Sequence, residues 1–283
     1  MLPADVIARD KKIQSALSSV ADSTSMALLP DLSTLSQGEA GGAIRKVAEA
    51  VSTEVGKAAS VAASESYGSF RDSGRDVLTA SWVSDWERIS AEAHKYDGLS
   101  LAELDKMLKA DPKNAALRTA RGWAYNGATT YTPKTVDVTR VVSENLDGVV
   151  GHSMARYFEG NYPDAQTALR SGVARMVENI YRDTVVSNSQ SDSFAKGYQR
   201  VASPNACSFC LMVALNEYTS FGETGGYHDH CSCSAVPIFR GVRSYRPDYY
   251  KGFEDDYYAS RSVASSNSAA DILAAIRVTT GRA

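Results

Sequence analysis

The sequence predicts a mainly α protein, a helical scaffold that closes on a small C-terminal β-hairpin zinc knuckle. Three observations carry that expectation. Apolar residues recur at three- to four-residue spacing over most of the chain, the period of a helix with one buried face. All four cysteines lie between positions 207 and 233, together with two of the four histidines. The run AVPIF that follows them is short, apolar and strand-like.

The chain has 283 residues, of which 43% are hydrophobic, enough to core one large domain or two ordinary ones. A net charge of -3 provides no basic field of the kind that coats nucleic acid or an anionic membrane. No apolar run approaches the ~18 residues of a membrane span. Asp5, Arg9, Asp10, Lys11 and Lys12 occupy the place where a signal peptide needs an apolar centre. These features predict a soluble chain outside the usual export route. Its expected divisions are an N-terminal helical region over 1–110, a helical domain over 111–240 that ends in the Cys/His knuckle, and a tail over 241–283 with a short helix.

The first helix is expected over 3–28, with Pro3 in its first turn and Val6, Ile13, Leu17 and Val20 on one side, ended by Pro30. The stretch SQGEAGG reads as a break. Beyond it Ile44, Val47, Ala48, Val51, Val55, Ala58 and Ala62 form a narrow stripe of small residues, suited to a neighbouring helix of the same chain or to another chain. A helix from Arg75 to about Lys95 presents Leu78, Trp82, Trp86, Ile89 and Ala93. Ser100 and Glu103 make a capping box for a short helix that stops near Asp111, and Pro112 suits a new first turn. The segment NGATTYTPKTVDVTRVV reads as a loop followed by a short strand or a β-branched helix. Pro163 and Asp164 open what reads as the longest and most central helix. Its buried face is Leu169, Val173, Met176, Val177, Ile180 and Thr184, with Arg170, Arg175, Glu178 and Arg182 mostly off it. It fades into the polar run SNSQSDS, a loop or frayed end. The tyrosine-rich segment RSYRPDYYKGFEDDYYASRS reads as irregular and exposed, and a short helix with Ile272, Leu273 and Ile276 closes the chain.

Cys207 and Cys210 form a Cys-x2-Cys pair, followed after seventeen residues by His228, His230, Cys231 and Cys233. Such a pair on a tight turn presents two ligands to one tetrahedral ion, and a second turn completes the set. Thiolate with imidazole favours zinc, and a closed ligand set makes it structural. Six candidates compete for four positions, so two are left for outer contacts or a disulfide. Glu223 and Asp229 are the neighbours that a catalytic site would recruit, but a deaminase arrangement needs a His-x-Glu before the cysteine pair, and none exists.

This pattern resembles the C-terminal signature of the phage Mu F-like minor head proteins, which ends in His-Pro-Asn-Cys-Arg-Cys. The resemblance sets His228 on the family histidine, while Asp229, His230 and Ser232 depart from the pattern and make His230 a competing ligand. It extends over roughly residues 110 to 240. It implies a virion protein of few copies, acting in head assembly near the portal vertex with portal or major capsid protein as partner, and either staying in the head or leaving with the DNA. Two rivals stand beside it. A maturation protease or other hydrolase would have only Gly151-His152-Ser153 to work with, and no Gly-x-Ser-x-Gly elbow, P-loop or His-Glu-x2-His occurs, so no catalytic residue is assigned. A nucleic-acid-binding knuckle would flank its ligands with cations, yet no Lys or Arg lies between Cys207 and Cys233. Arg240, Arg243, Arg246 and Lys251 come afterwards, where Asp248, Glu254, Asp255 and Asp256 dilute them; contact with packaged DNA would run through those four.

Overall fold

The structure, a computed structural model, describes residues 2–80, 85–215 and 233–282. Among these, ten α-helices and one two-stranded sheet carry the fold. The helices are α1 (Ala4–Leu28), α2 (Gln37–Ala80), α3 (Trp86–Ala93), α4 (Leu101–Ala110), α5 (Ala115–Tyr125), α6 (Val138–Phe158), α7 (Tyr162–Ser191), α8 (Ser208–Ala214), α9 (Tyr250–Val263) and α10 (Ala269–Thr280). The strands are β1 (Ala195–Val201) and β2 (Ser234–Phe239).

Helix α7 is the axis of the fold and packs against α1, α2, α6 and both strands. The apolar face expected for it is buried from Leu169 to Thr184. The longest helix is instead α2, at 44 residues against 30 for α7. The expected break at SQGEAGG is its first turn. Glu39 reaches back to accept from the Ser36 amide at 2.9 Å and from its hydroxyl, a helix-start signal that outweighs the glycines. The small-residue stripe is a core face of this chain. Ile44, Val47, Ala48 and Val51 are buried, and beyond them the buried line runs through Ala59 and Ala63 while Ala58 faces out. Helix α2 comes so close to α7 that a Cβ on Gly56 would lie 2.5 Å from Ile180 Cδ1.

Other expectations change for similar reasons. The helix expected from Arg75 to Lys95 is divided between α2 and α3, with Trp82 outside the described residues. Trp86 is half-buried, and among the described residues the tryptophan that fills the core is Trp123. The capping box at Ser100 and Glu103 is present, while the next helix starts at Asn114, whose side chain accepts from the Leu117 amide, so Pro112 lies in the connecting turn. The β-branched segment follows one of its two expected readings, a loop leading into a helix, α6.

SNSQSDS is neither loop nor frayed end. Helix α7 runs to Ser191, and Asn188, Ser189 and Asp192 are buried because every polar group finds a partner. Asn188 donates to the carbonyls of Lys134 and Thr184 and accepts from the Tyr131 hydroxyl and the Lys134 amide. Asp192 accepts from Arg71 Nε at 2.7 Å, from the Tyr67 hydroxyl at 3.0 Å and from the Phe194 amide at 2.9 Å. Arg71 completes the knot by donating to the Ala128 carbonyl while lying over the rings of Tyr131 and Phe194. The knot joins α2, the loop before α6, the end of α7 and the entry to β1.

Strands β1 and β2 are antiparallel, with Val201 opposite Ser234 and an irregularity between Ala195 and Gly197. Phe194 stacks on Phe239 with ring centroids 4.7 Å apart, and Gly74 lets α2 pass over the Phe239 ring, where a Cβ would lie 2.7 Å away. The expected strand AVPIF is β2. Its partner AKGYQRV carries Gln199 and Arg200 on buried positions, so its sequence shows no clean alternation.

Helix α1 packs Val6, Ile13 and Leu17 against the core as expected, but its buried face also takes in polar residues. Val20 is half-exposed, whereas Asp10 and Gln14 face inward between Ile7 and Ala21. The Tyr181 hydroxyl touches both Asp10 and Ser66, and Gln14 donates to the second Asp10 oxygen at 2.9 Å. Burial pushes the Asp10 carboxyl up to about 6, against the opposing pull of Tyr181, Gln14, Ser66 and the Lys11 ammonium. The folded chain therefore holds this proton more tightly than the unfolded chain, where the carboxyl titrates near 3.8. The stabilisation is full below that value and is lost as pH rises through about 6. Wild-type protein is expected to lose more stability between pH 5 and pH 7.5 than Asp10→Asn. Denaturant titrations at both pH values check this, and equal losses would contradict it.

Candidate metal centre

The sheet register creates the site. Because Val201 pairs with Ser234, the chain leaving β1 and the chain entering β2 meet at one end of the sheet, bringing Cys233 to the turn that carries Cys207 and Cys210. Ala202, Ala206, Cys210, Leu211, Ala214 and Cys233 form one buried cluster with Tyr250, Phe253, Ile272 and Ile276, and Cys207 packs on its edge. This cluster is separate from the main core around α7.

Cys207 caps α8. Its Sγ accepts from the Cys210 amide at 3.4 Å, a position where a hydroxyl or carboxylate oxygen is the usual acceptor. A sulfur drawing an amide three residues on is the turn that a thiolate pair uses to face one ion. Cys210 and Cys233 are almost fully buried, at 2% and 1% exposure, whereas Cys207 is half-buried. Three thiols from two chain segments thus lie in or against one small cluster. His228, His230 and Cys231 lie outside the described residues, and among the described ones no group of three or more His, Cys, Asp or Glu side chains is arranged as a metal cage.

The surroundings come from parts of the sequence that look unrelated. Arg182, expected off the buried face of α7, is 1% exposed and donates from Nε to the Cys233 carbonyl at 2.9 Å. Lys11 of α1 donates to the Ala202 carbonyl at 3.3 Å. Burial pulls its ammonium below the ordinary lysine range, opposed by the nearby Cys233 sulfur and by Asp10. The Tyr249 hydroxyl donates to the same carbonyl at 2.6 Å, and the Tyr250 hydroxyl accepts from the Ala202 amide at 2.9 Å. Burial and the neighbouring Tyr245 and Cys233 push Tyr249 up to about 12.

These tyrosines belong to the segment expected to be irregular and exposed, which is largely α9. Its buried residues Tyr250, Phe253 and Ser260 follow helical spacing, a signal masked by the surrounding acids and by Gly252. Ile272 and Ile276 of α10 are buried as expected. Of the four cations assigned to DNA, Arg246 pairs with Glu254 and Arg240 donates to the Ser193 carbonyl at 2.8 Å. Arg243 and Lys251 are exposed. Ser153 is fully buried and gives its hydroxyl proton to the Ala165 carbonyl at 2.6 Å, while His152 faces outward. No helix among the described residues is long and apolar enough to cross a membrane.

Comparison with known proteins gives one family. The family described as VG15 protein matches residues 123–260, just under half of the chain. The match runs from Trp123 of α5 into α9 and so includes Cys207, Cys210 and Cys233. It points to a phage virion-related protein. No curated protein and no solved structure matches the chain.

Proposed function

We propose that this chain is a minor component of a phage head, acting in head assembly beside the portal vertex through binding rather than turnover. The observation that supports it is the family match over residues 123–260, which spans the same cysteine segment whose spacing resembles the Mu F-like minor head signature. The portal or the major capsid protein is the partner this reading implies. The stripe from Ile44 to Ala62 does not serve as the docking face, because Ile44, Val47, Ala48 and Val51 are already packed inside the chain.

In this reading one zinc ion is held by Cys207, Cys210 and Cys233, with a fourth ligand from His228, His230 or Cys231. Bound there, zinc supplies a cross-link rather than a reactive water. The residues of the chain do the rest: Arg182 holds the Cys233 backbone, and Tyr249 and Tyr250 hold Ala202.

The test is mass spectrometry and elemental analysis of purified heads and of the isolated chain, with labelled protein located in the particle by electron microscopy. A few copies per head at one vertex, with about one zinc per chain, is the expected result. Absence of the chain from heads, or an even distribution over the shell, refutes the assembly role. A metal-free chain with two intact disulfides refutes the zinc centre alone.

A further inference from the structure

The three described cysteines are not held in the same way. Cys210 and Cys233 sit inside the small core, so packing fixes them. Cys207 is half-buried on its edge, and the direction of its sulfur depends on the turn from Ser203 to Ser208 that leads into α8. A backbone hydrogen bond closes that turn, from the Ala206 amide to the Ser203 carbonyl at 3.0 Å.

Two further carbonyls of the turn are taken by one guanidinium just beyond the end of α10. Arg282 Nη1 donates to the Pro204 carbonyl at 3.2 Å and to the Ala206 carbonyl at 3.0 Å. Its Nη2 pairs with Asp256 of α9 at 3.3 Å, and its plane lies over the Phe253 ring, 5.2 Å from the centroid. Arg277 of α10 adds a contact from Nε to the Ser208 hydroxyl at 3.3 Å. A single planar fork thus ties the Cys207 turn to both C-terminal helices. Lysine offers a point charge on a flexible stem and cannot hold two carbonyls, a carboxylate and an aromatic face in one plane.

We propose that Arg282 is a positioning residue for Cys207, locking the Cys-x2-Cys turn in its ligand-holding shape, so that docking of α9 and α10 and closure of the cysteine centre are one event. The metal-release part of this inference rests on the zinc reading above; the part concerning the thiol does not. The residue acts through the Ala206 and Pro204 carbonyls, one and three positions before Cys207.

The experiment uses the full-length chain as wild type, Arg282→Ala, Arg282→Lys and Arg277→Ala. Two rates are measured: zinc release to a chromogenic chelator, and alkylation of Cys207 by N-ethylmaleimide in chelator-treated protein, read by peptide mass mapping. In Arg282→Ala both rates are expected to rise by about tenfold, the lower end of the effect of removing a group that orients a metal ligand. Arg282→Lys is expected to recover only part of this, and Arg277→Ala to change little. Far-UV circular dichroism identifies any variant that fails to fold, in which case Arg282→Lys decides. Wild-type rates in Arg282→Ala, or full recovery in Arg282→Lys, overturn the proposal. If wild type holds no zinc, the zinc reading fails, and the alkylation rate alone decides whether Arg282 positions Cys207.

Discussion

Replacing Asp192 by alanine is expected to destabilise the folded chain by about 3–5 kcal/mol, the usual effect of removing one partner of a buried ion pair. The size follows from what would be left behind. Arg71 is 4% exposed and its Nε points at Asp192 from 2.7 Å, so the variant keeps a buried guanidinium without its carboxylate. The Tyr67 hydroxyl and the Phe194 amide lose their acceptor in the same step. Burial and the adjacent Asp192 both push the Tyr67 hydroxyl above its usual range, which keeps it a donor to that carboxylate. The knot also sets where β1 begins, so its loss should reach the cysteine segment through the sheet register. Denaturant unfolding measures the effect. A second variant, Asp192→Ala combined with Arg71→Met, should recover part of the loss, since an apolar side chain there carries no unpaired charge. A change below about 1 kcal/mol in Asp192→Ala would show that water relieves Arg71 and that the knot is not a keystone.

The second large effect is expected for Cys210→Ser. Under the zinc reading the variant loses a ligand at a position 2% exposed, and metal binding to such a centre is coupled to the folding of the segment that holds it. Zinc content should fall from about one per chain toward zero. Hydrogen-exchange protection should be lost over α8, α9 and α10, whose buried apolar residues belong to the small cluster around the cysteines. Protection of α1, α2, α6 and α7 should persist, because Ile44, Leu146, Val173 and Ile180 belong to the separate main core. Loss of all helical signal would show that the small cluster is no satellite. Unchanged zinc and protection would remove Cys210 from the ligand set.

Much of this fold was legible along the chain. Local rules set the ends of α1 and α4 and the start of α7 with little help from the rest of the molecule. The capping box at Ser100 and Glu103 and the Pro163-Asp164 start act over three or four residues, so reading them needs no tertiary contact. The buried faces of α7 and α10 were legible because each is apolar at helical spacing. Clustering of the cysteines likewise marked the candidate site.

What escaped reading has one physical cause. Polar residues look like surface until a distant partner is known. Asp10 depends on Tyr181, and Asp192 depends on Arg71 and Tyr67, all more than a hundred residues away, while Gln14 is held inside by Asp10. Arg182 looked like a solvated helix face, yet the Cys233 carbonyl, 51 residues on, draws it inside. The tyrosine-rich tail looked exposed because its charges dominate any window, but Tyr249 and Tyr250 bond to Ala202 and Arg282 bonds to Pro204 and Ala206. The sequence alone determined where α1, α4 and α7 begin, which faces of α7 and α10 are apolar, and which residues have metal-ligand chemistry. Only the tertiary structure decided which polar groups are core and which distant segments hold the cysteine turn, because a hydrogen bond between remote residues leaves no periodic trace in either of them.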